Sequence, residues 1–124
     1  MRIFKGLFFI FLLLSASYSD IEKGSATFYS NAFNGRRTSS GEVFNNNLLT
    51  AAHKSMAFGT MVKVTNIKND SVVILKINDR LPKSSGHIID VTLAAAKKLN
   101  FVRNGIASVT IEVLSAKNED TKQH

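Results

Sequence analysis

Hydrophobic and polar positions alternate most cleanly in two stretches of the chain. From Thr60 to Asn66, Val62 and Val64 oppose Met61, Lys63 and Thr65; from Ile106 to Leu114, Ala107, Val109, Ile111 and Val113 oppose Ser108, Thr110 and Glu112. A period of two puts each set on one face of a strand, so both stretches are predicted as strands with one buried face. Val72 to Ile77 is apolar at nearly every position, which predicts a strand packed on both faces or lying in a closed barrel. The linker Lys68-Asn69-Asp70-Ser71 suits a hairpin turn back to the first of these strands. Shorter extended runs are expected at Ser25 to Tyr29 and Leu48 to Ala52. Only Leu93 to Leu99 reads as a helix, with three consecutive alanines, Thr92 or Asp90 as its cap and Asn100 suited to a left-handed stop. Gly24, Gly35, Gly41, Gly59, Gly86 and Gly105 are expected between these elements. The pattern is that of one mainly β domain with one short helix.

The two ends of the chain do not share this pattern. Arg2 and Lys5 precede the apolar run Leu7 to Leu14, which gives way to small and polar residues up to Ser19. This predicts an export signal over 1–19, cleaved after Ser17-Tyr18-Ser19, since the run is short for a bilayer span. Ala116 to His124 is polar without apolar period and is expected to be a frayed tail over 116–124, leaving 20–115 as the folded domain.

Composition narrows the chemistry. A chain of 124 residues with 44% hydrophobic and 20% charged residues has room for one ordinary globular core, which excludes wholesale disorder. With no cysteine there is no thiol nucleophile, disulfide, Cys-ligated metal or lipid-modified Cys. The formal charge of +7 falls by two when Arg2 and Lys5 are removed, so the exported domain is still basic and suited to an anionic polymer. No Lys/Arg run exceeds two residues and no aromatics interleave with them, so nucleic acid is not an expected partner.

Cleavage of a glycosidic bond requires a carboxyl group that reaches the leaving oxygen. Glu22, Glu112, Glu119 and Asp120 read as solvated acids at strand faces or chain ends, and Asp70 as a turn residue; with Asp20 at the expected cleavage point set aside, Glu42, Asp79 and Asp90 remain. Asp79 follows the apolar strand and is expected at its end, where a rigid element meets a loop. Asp90 reads first as a helix cap. His53 can tune a carboxylate within reach, though a lone histidine more often makes one structural hydrogen bond. Spacing alone does not join these residues into one site, and no two-histidine metal motif is present.

Taken together, the motifs resemble the rare lipoprotein A family. They are Gly24-Ser25-Ala26-Thr27-Phe28-Tyr29, Asn34 to Glu42 with Gly35-Arg36-Arg37-Thr38-Ser39-Ser40-Gly41, Leu49-Thr50-Ala51-Ala52-His53, Phe58-Gly59-Thr60, Val62 to Asn66, Asn78-Asp79-Arg80-Leu81-Pro82, Ile88-Ile89-Asp90-Val91-Thr92 and Ala94-Ala95-Ala96. Order and spacing match from Gly24 to Leu114. The resemblance implies a single six-stranded double-psi β-barrel and an endolytic lytic transglycosylase. Such an enzyme cuts the β-1,4 bond between N-acetylmuramic acid and N-acetylglucosamine in peptidoglycan, leaving a 1,6-anhydro end, with no cofactor or metal.

The family's active-site Glu, His and Asp fall on Glu42, His53 and Asp79. Similarity to expansin and glycoside hydrolase 45 barrels points to Thr27, Asp79 and Asp90 along the sugar groove. On this basis Asp79 is the expected acid/base, its pKa raised by burial or by Glu42, and His53 would hold Glu42 or Asp79. Phe28 and Tyr29 would offer a sugar platform, one of the pair belonging to the core, and Thr27 and Asn78 would bind sugar polar groups. Arg80 would point outward or toward an anionic peptide stem. The usual lipidated Cys and C-terminal wall-binding repeat are missing, so the expectation is an exported, periplasmic or extracellular protein without a stable membrane anchor, working on glycan strands. Leu81, Lys83 and His87 depart from the family pattern around the groove. A non-catalytic expansin-like wall-binding module, or a docking partner of other wall enzymes, is the alternative.

Overall fold

The computed structural model describes residues 20–115; the predicted export signal and polar tail lie outside the described residues. Six strands close into a barrel in the order β1-β5-β2-β4-β3-β6. They are β1 (Ile21–Phe28), β2 (Thr50–His53), β3 (Met61–Asn66), β4 (Val72–Arg80), β5 (Ile89–Val91) and β6 (Ala107–Ser115). Among the described residues there is one α-helix, α1 (Leu93–Lys98), which follows β5, and a 3-10 turn at Asn31–Phe33 follows β1. β1 runs parallel to β5 and β2 parallel to β4, while the other neighbours are antiparallel. This is the mainly β, double-psi barrel that the motifs implied.

Alternation fills the interior. Val62 and Val64 of β3, Val73, Leu75 and Ile77 of β4, Val109 and Ile111 of β6, and Ile89 and Val91 of β5 are buried, with Leu99 and Phe101 closing the core beside α1. β4 is not packed on both faces: Val72 and Ile74 turn outward and are about half exposed, as a barrel strand requires. The hairpin between β3 and β4 turns at Asp70, with φ of 61°, and α1 ends before Asn100, with φ of 57°, both left-handed positions that Asx side chains tolerate. Thr92 is the helix cap and accepts from the Ala95 N–H; Asp90 is not the cap but the centre of β5.

Three strands differ from the reading of the pattern. β1 starts four residues before Ser25, because Ile21 to Gly24 pair with β6 from Glu112 to Val109 although their sequence shows no alternation of apolar and polar residues. Gly24 therefore lies inside a strand, where an added Cβ would meet Ile88 Cγ2 at 2.6 Å. β4 continues past Ile77 through Asn78, Asp79 and Arg80, held by parallel pairing with β2. β5 is three residues long, too short for periodicity to reveal.

Candidate active site

Register brings four residues into one row across four neighbouring strands. Thr27 of β1 pairs with Asp90 of β5, Asp90 with Ala52 of β2, and Ala52 with Asp79 of β4. Directly paired residues share a face, so this row lies on the outer surface of the barrel. A bulge makes it possible. Ala51 pairs with Ile77 but Ala52 pairs with Asp79, so Asn78 is the extra residue on β4. Without it Asp79 would fall on the inward set with its carboxyl in the core; bulges beside active sites re-aim side chains in this way. In the row the two acids are separated by the small, buried Ala52, and the Tyr29 phenol lies close enough to feel the charges of both.

Asp79 is the most heavily engaged acid of the row. Its Oδ2 accepts from the Tyr29 hydroxyl at 2.5 Å, and its Oδ1 accepts from the backbone N–H of Ser39 and of Arg80, each at 2.9 Å. Partial burial pushes its pKa up, but the donors from Tyr29, Ser39 and Arg80 together outweigh burial and hold it below the ordinary 3.8. The expected raised pKa is therefore not a property of the resting site. Tyr29 shows the complement: burial, its bond to Asp79 and the charges of Asp79 and Asp90 all push the phenol upward, so it stays protonated. Asp90 accepts from the Thr27 hydroxyl through Oδ1.

Ser39 reaches Asp79 because the Gly35 to Phe44 loop folds onto β4. Thr38 N–H donates to the Glu42 carbonyl at 2.8 Å, Gly41 N–H to the Thr38 carbonyl at 2.9 Å, and Ser40 N–H to the Asn78 carbonyl at 3.3 Å. Glu42 fastens this loop from the outside. Its carboxylate accepts from Lys76 Nζ at 2.9 Å and Asn78 Nδ2 at 3.0 Å, and these two donors hold its pKa below normal. Its charge is thus spent on Lys76 and Asn78, and the structure gives no contact with Asp79 through which it would raise that pKa. Asn78 is buried and committed to Glu42.

His53 points the other way. It follows Ala52 in β2, so its side chain lies on the inner face, and it pairs with the buried Ile89. Its Nδ1 accepts from the N–H of Ser55 at 3.1 Å and of Met56 at 3.0 Å, which fixes the proton on Nε2, and that proton is donated to Glu22 Oε1 at 2.8 Å. The expectation that His53 holds Glu42 or Asp79 is corrected to Glu22, an acid read from sequence as solvated. The pair sits in the wall of a concavity of about 490 Å³ lined also by Met56, Ile111 and Val113.

Arg80 does not point outward. Its Nη1 donates to the His53 and Met56 carbonyls at 3.1 and 2.8 Å, and its guanidinium lies 4.3 Å from the Phe58 ring centre, so it braces the 53–58 loop. Phe28 packs edge-on against Phe101 in the core, with ring centres 5.8 Å apart. Tyr29 packs against Phe44 and Phe33, at 4.4 and 5.9 Å, with its hydroxyl in the acid row.

A family model described as "Lytic transglycolase" matches residues 21–111, which span all six strands except the end of β6. The chain belongs to this family. Among curated lytic transglycolase relatives, "Endolytic peptidoglycan transglycosylase RlpA" of Neisseria meningitidis is 48% identical over 91 residues, 73% of this chain and 38% of the relative. The protein of that name from Pasteurella multocida is 45% identical over 91 residues, again 73% of this chain and 31% of the relative. "Probable endolytic peptidoglycan transglycosylase RlpA" of Synechocystis is 42% identical over 100 residues, 81% of this chain and 31% of the relative. The chain thus spans about a third of the length of these relatives. In fold it resembles the apo Clavibacter michiganensis expansin, with a TM-score of 0.63 and 19% identity over 80% of this chain and 52% of that one. The Streptomyces papain inhibitor has the same barrel, with a TM-score of 0.64 and 18% identity over 77% of this chain and 96% of that one.

Within this RlpA-like barrel, sequence reasoning missed the Tyr29 phenol as a partner of Asp79, the Ser39 N–H, and Glu22. No residue-type signal exists for a backbone donor brought in by a loop. Glu22 had one available cue: β1 pairs it with Ile111, an inward residue, but that register is invisible without β6 beside it.

Proposed function

We propose that this barrel is the catalytic domain of an exported peptidoglycan lytic transglycosylase, with Asp79 as acid/base and Thr27 and Asp90 as sugar-binding groups. The observation that carries the reading is the outward row Thr27–Asp90–Ala52–Asp79, which sets two carboxylates on one face with only a small residue between them in register. The names of the relatives support peptidoglycan as the polymer.

The reaction needs one proton donated and one recovered. Protonated Asp79 gives its proton to the glucosamine O4 as the bond from muramyl C1 to that oxygen breaks. The muramyl 6-hydroxyl closes on C1, and the Asp79 carboxylate takes the hydroxyl proton, which regenerates the acid without water. In the resting site Asp79 is held ionised by Tyr29, Ser39 and Arg80. Bound glycan excludes water and competes for the Tyr29 and Ser39 donors, which raises the carboxyl pKa when it must carry a proton. Activity is lost as pH rises through the Asp79 pKa, and this falling limb is expected at higher pH for kcat than for kcat/KM, because the first reports the complex and the second the free protein. Asp90, with Thr27, accepts from sugar hydroxyl or acetamido groups and presents negative charge to the oxocarbenium-like carbon.

Digestion of purified glycan strands, with and without stem peptides, by wild type and Asp79→Asn tests this, with products read by mass. Anhydro-ended fragments are expected from wild type, and Asp79→Asn should lower the rate by about 10² to 10⁴. Reducing ends would mean hydrolysis. One observation favours a second reading, a non-catalytic wall-binding module: the resting Asp79 is stabilised as an anion. Retention of strands with no cleavage products would select it.

A further inference from the structure

The Tyr29 hydroxyl bonds Asp79 only if the Tyr29 backbone, one residue beyond the end of β1, is held in place. Two bonds hold it. Its N–H donates to the Val91 carbonyl at 3.0 Å, extending the β1–β5 ladder, and its carbonyl accepts from Asn46 Nδ2 at 3.2 Å.

Asn46 is 1% exposed, and each of its polar groups is used. The second Nδ2 proton goes to Asn31 Oδ1 at 2.8 Å, and Oδ1 accepts from Leu93 N–H at 2.8 Å. The backbone N–H donates to Asn34 Oδ1 at 2.7 Å, and the backbone carbonyl accepts from Ala94 N–H at 3.1 Å. Asn46 therefore ties the first turn of α1 to the segment that carries Tyr29. The amide orientation is fixed by its partners, since a flip would set donor against the Leu93 N–H and acceptor against the Tyr29 carbonyl. Its neighbours do otherwise: Asn45 Oδ1 accepts only locally, from Asn47 N–H, and both flanking asparagines are exposed.

We propose that Asn46 is a positioning residue that acts through Tyr29 on the Asp79 carboxyl. An apolar side chain of similar size would leave the Leu93 N–H, the Tyr29 carbonyl and Asn31 Oδ1 without their partner, and an aspartate would set oxygen against oxygen at Tyr29 and Asn31. Only a planar group with an acceptor on one side and two donors on the other satisfies all three. Asp90 also faces the Tyr29 phenol electrostatically, so its ionisation is followed in the same titration.

The test is a double-mutant cycle read by carbon NMR titration of the Asp79 side-chain carboxyl, using Asn46→Leu, Tyr29→Phe and both together. Asn46→Ser serves as the milder variant should Asn46→Leu not fold. Tyr29→Phe removes one donor and should raise the Asp79 midpoint. The Asn46 variant should raise it by at least half as much, and should add almost nothing in the Tyr29→Phe background. An unmoved midpoint, or an equal shift in both backgrounds, overturns the proposal. The significance for catalysis rests on the acid/base reading of Asp79, whereas the titration does not. If the carboxyl midpoint moves but the limb on which glycan cleavage falls with rising pH does not, the acid/base reading fails and the positioning of Asp79 stands.

Discussion

A carboxylate that accepts a phenol and two backbone N–H groups is bound in its charged form, and protonating it sets a new proton against those donors. Asp79 is in that position, and its folded pKa lies below 3.8. A depressed folded pKa means that the stability gained from the ionised group is complete above the unfolded value and is lost as pH falls through the folded one. Asp79→Asn should therefore be less stable than wild type at neutral pH, with the gap in unfolding midpoint closing as the solution is taken well below pH 4. A gap that is constant across that acid range would show that the three donors do not favour the anion. Glu42 contributes with the same sign, from an exposed position where salt screens its pairing with Lys76. The inner-face residue behaves differently. His53→Ala leaves the Ser55 and Met56 N–H groups without their acceptor and Glu22 without its donor, at about 1–3 kcal/mol for each group that is buried. It should lower the melting temperature while leaving the pH midpoints of cleavage unmoved, because the imidazole contacts neither carboxyl of the outer row. A displaced midpoint would restore His53 to the tuning role.

At the scale of elements, short or irregular strands decide where Asp79 and Asp90 lie. Gly24 shows how tightly β1 and the residue before β5 are fitted. The Cβ of Gly24→Ala would meet Ile88 Cγ2 at 2.6 Å, and the Ile88 side chain packs against the core, so the substitution should cost about 1–3 kcal/mol. Thermal unfolding measures this directly, and an unchanged midpoint would mean that Ile88 repacks freely. The regular strands β3 and β6, the Lys68–Ser71 turn and the helix with its Asn100 stop were legible, because period and turn chemistry are local properties. The start of β1, the end of β4 and the whole of β5 were not. Their residues are polar or few, and they are strands only because another strand lies beside them. Site legibility follows the same division. Asp79 and Asp90 stood out as acids within recognisable motifs, but the bulge at Asn78, which turns Asp79 outward, depends on how β2 and β4 meet. Likewise nothing local distinguishes Asn46 from Asn45 and Asn47; burial alone separates them.

For the molecule as a whole, closure of the barrel joins the first strand to the last. Ile21 pairs with Glu112 and Ala26 with Ala107, so the two ends of the described domain lie at one pole, while Thr27 lies toward the other. Thr27 is six steps along β1 from Ile21, about 20 Å of extended chain. A domain whose two ends lie side by side can be joined to further chain, or closed on itself, without opening the barrel between them. A circular permutant with residues 20 and 115 bridged by a short glycine-serine linker, and new ends opened between Asn69 and Asp70, should fold and keep the wild-type Asp79 titration. Failure to fold would mean that the order in which the strands are made, and not merely their neighbours, is needed to close the cylinder.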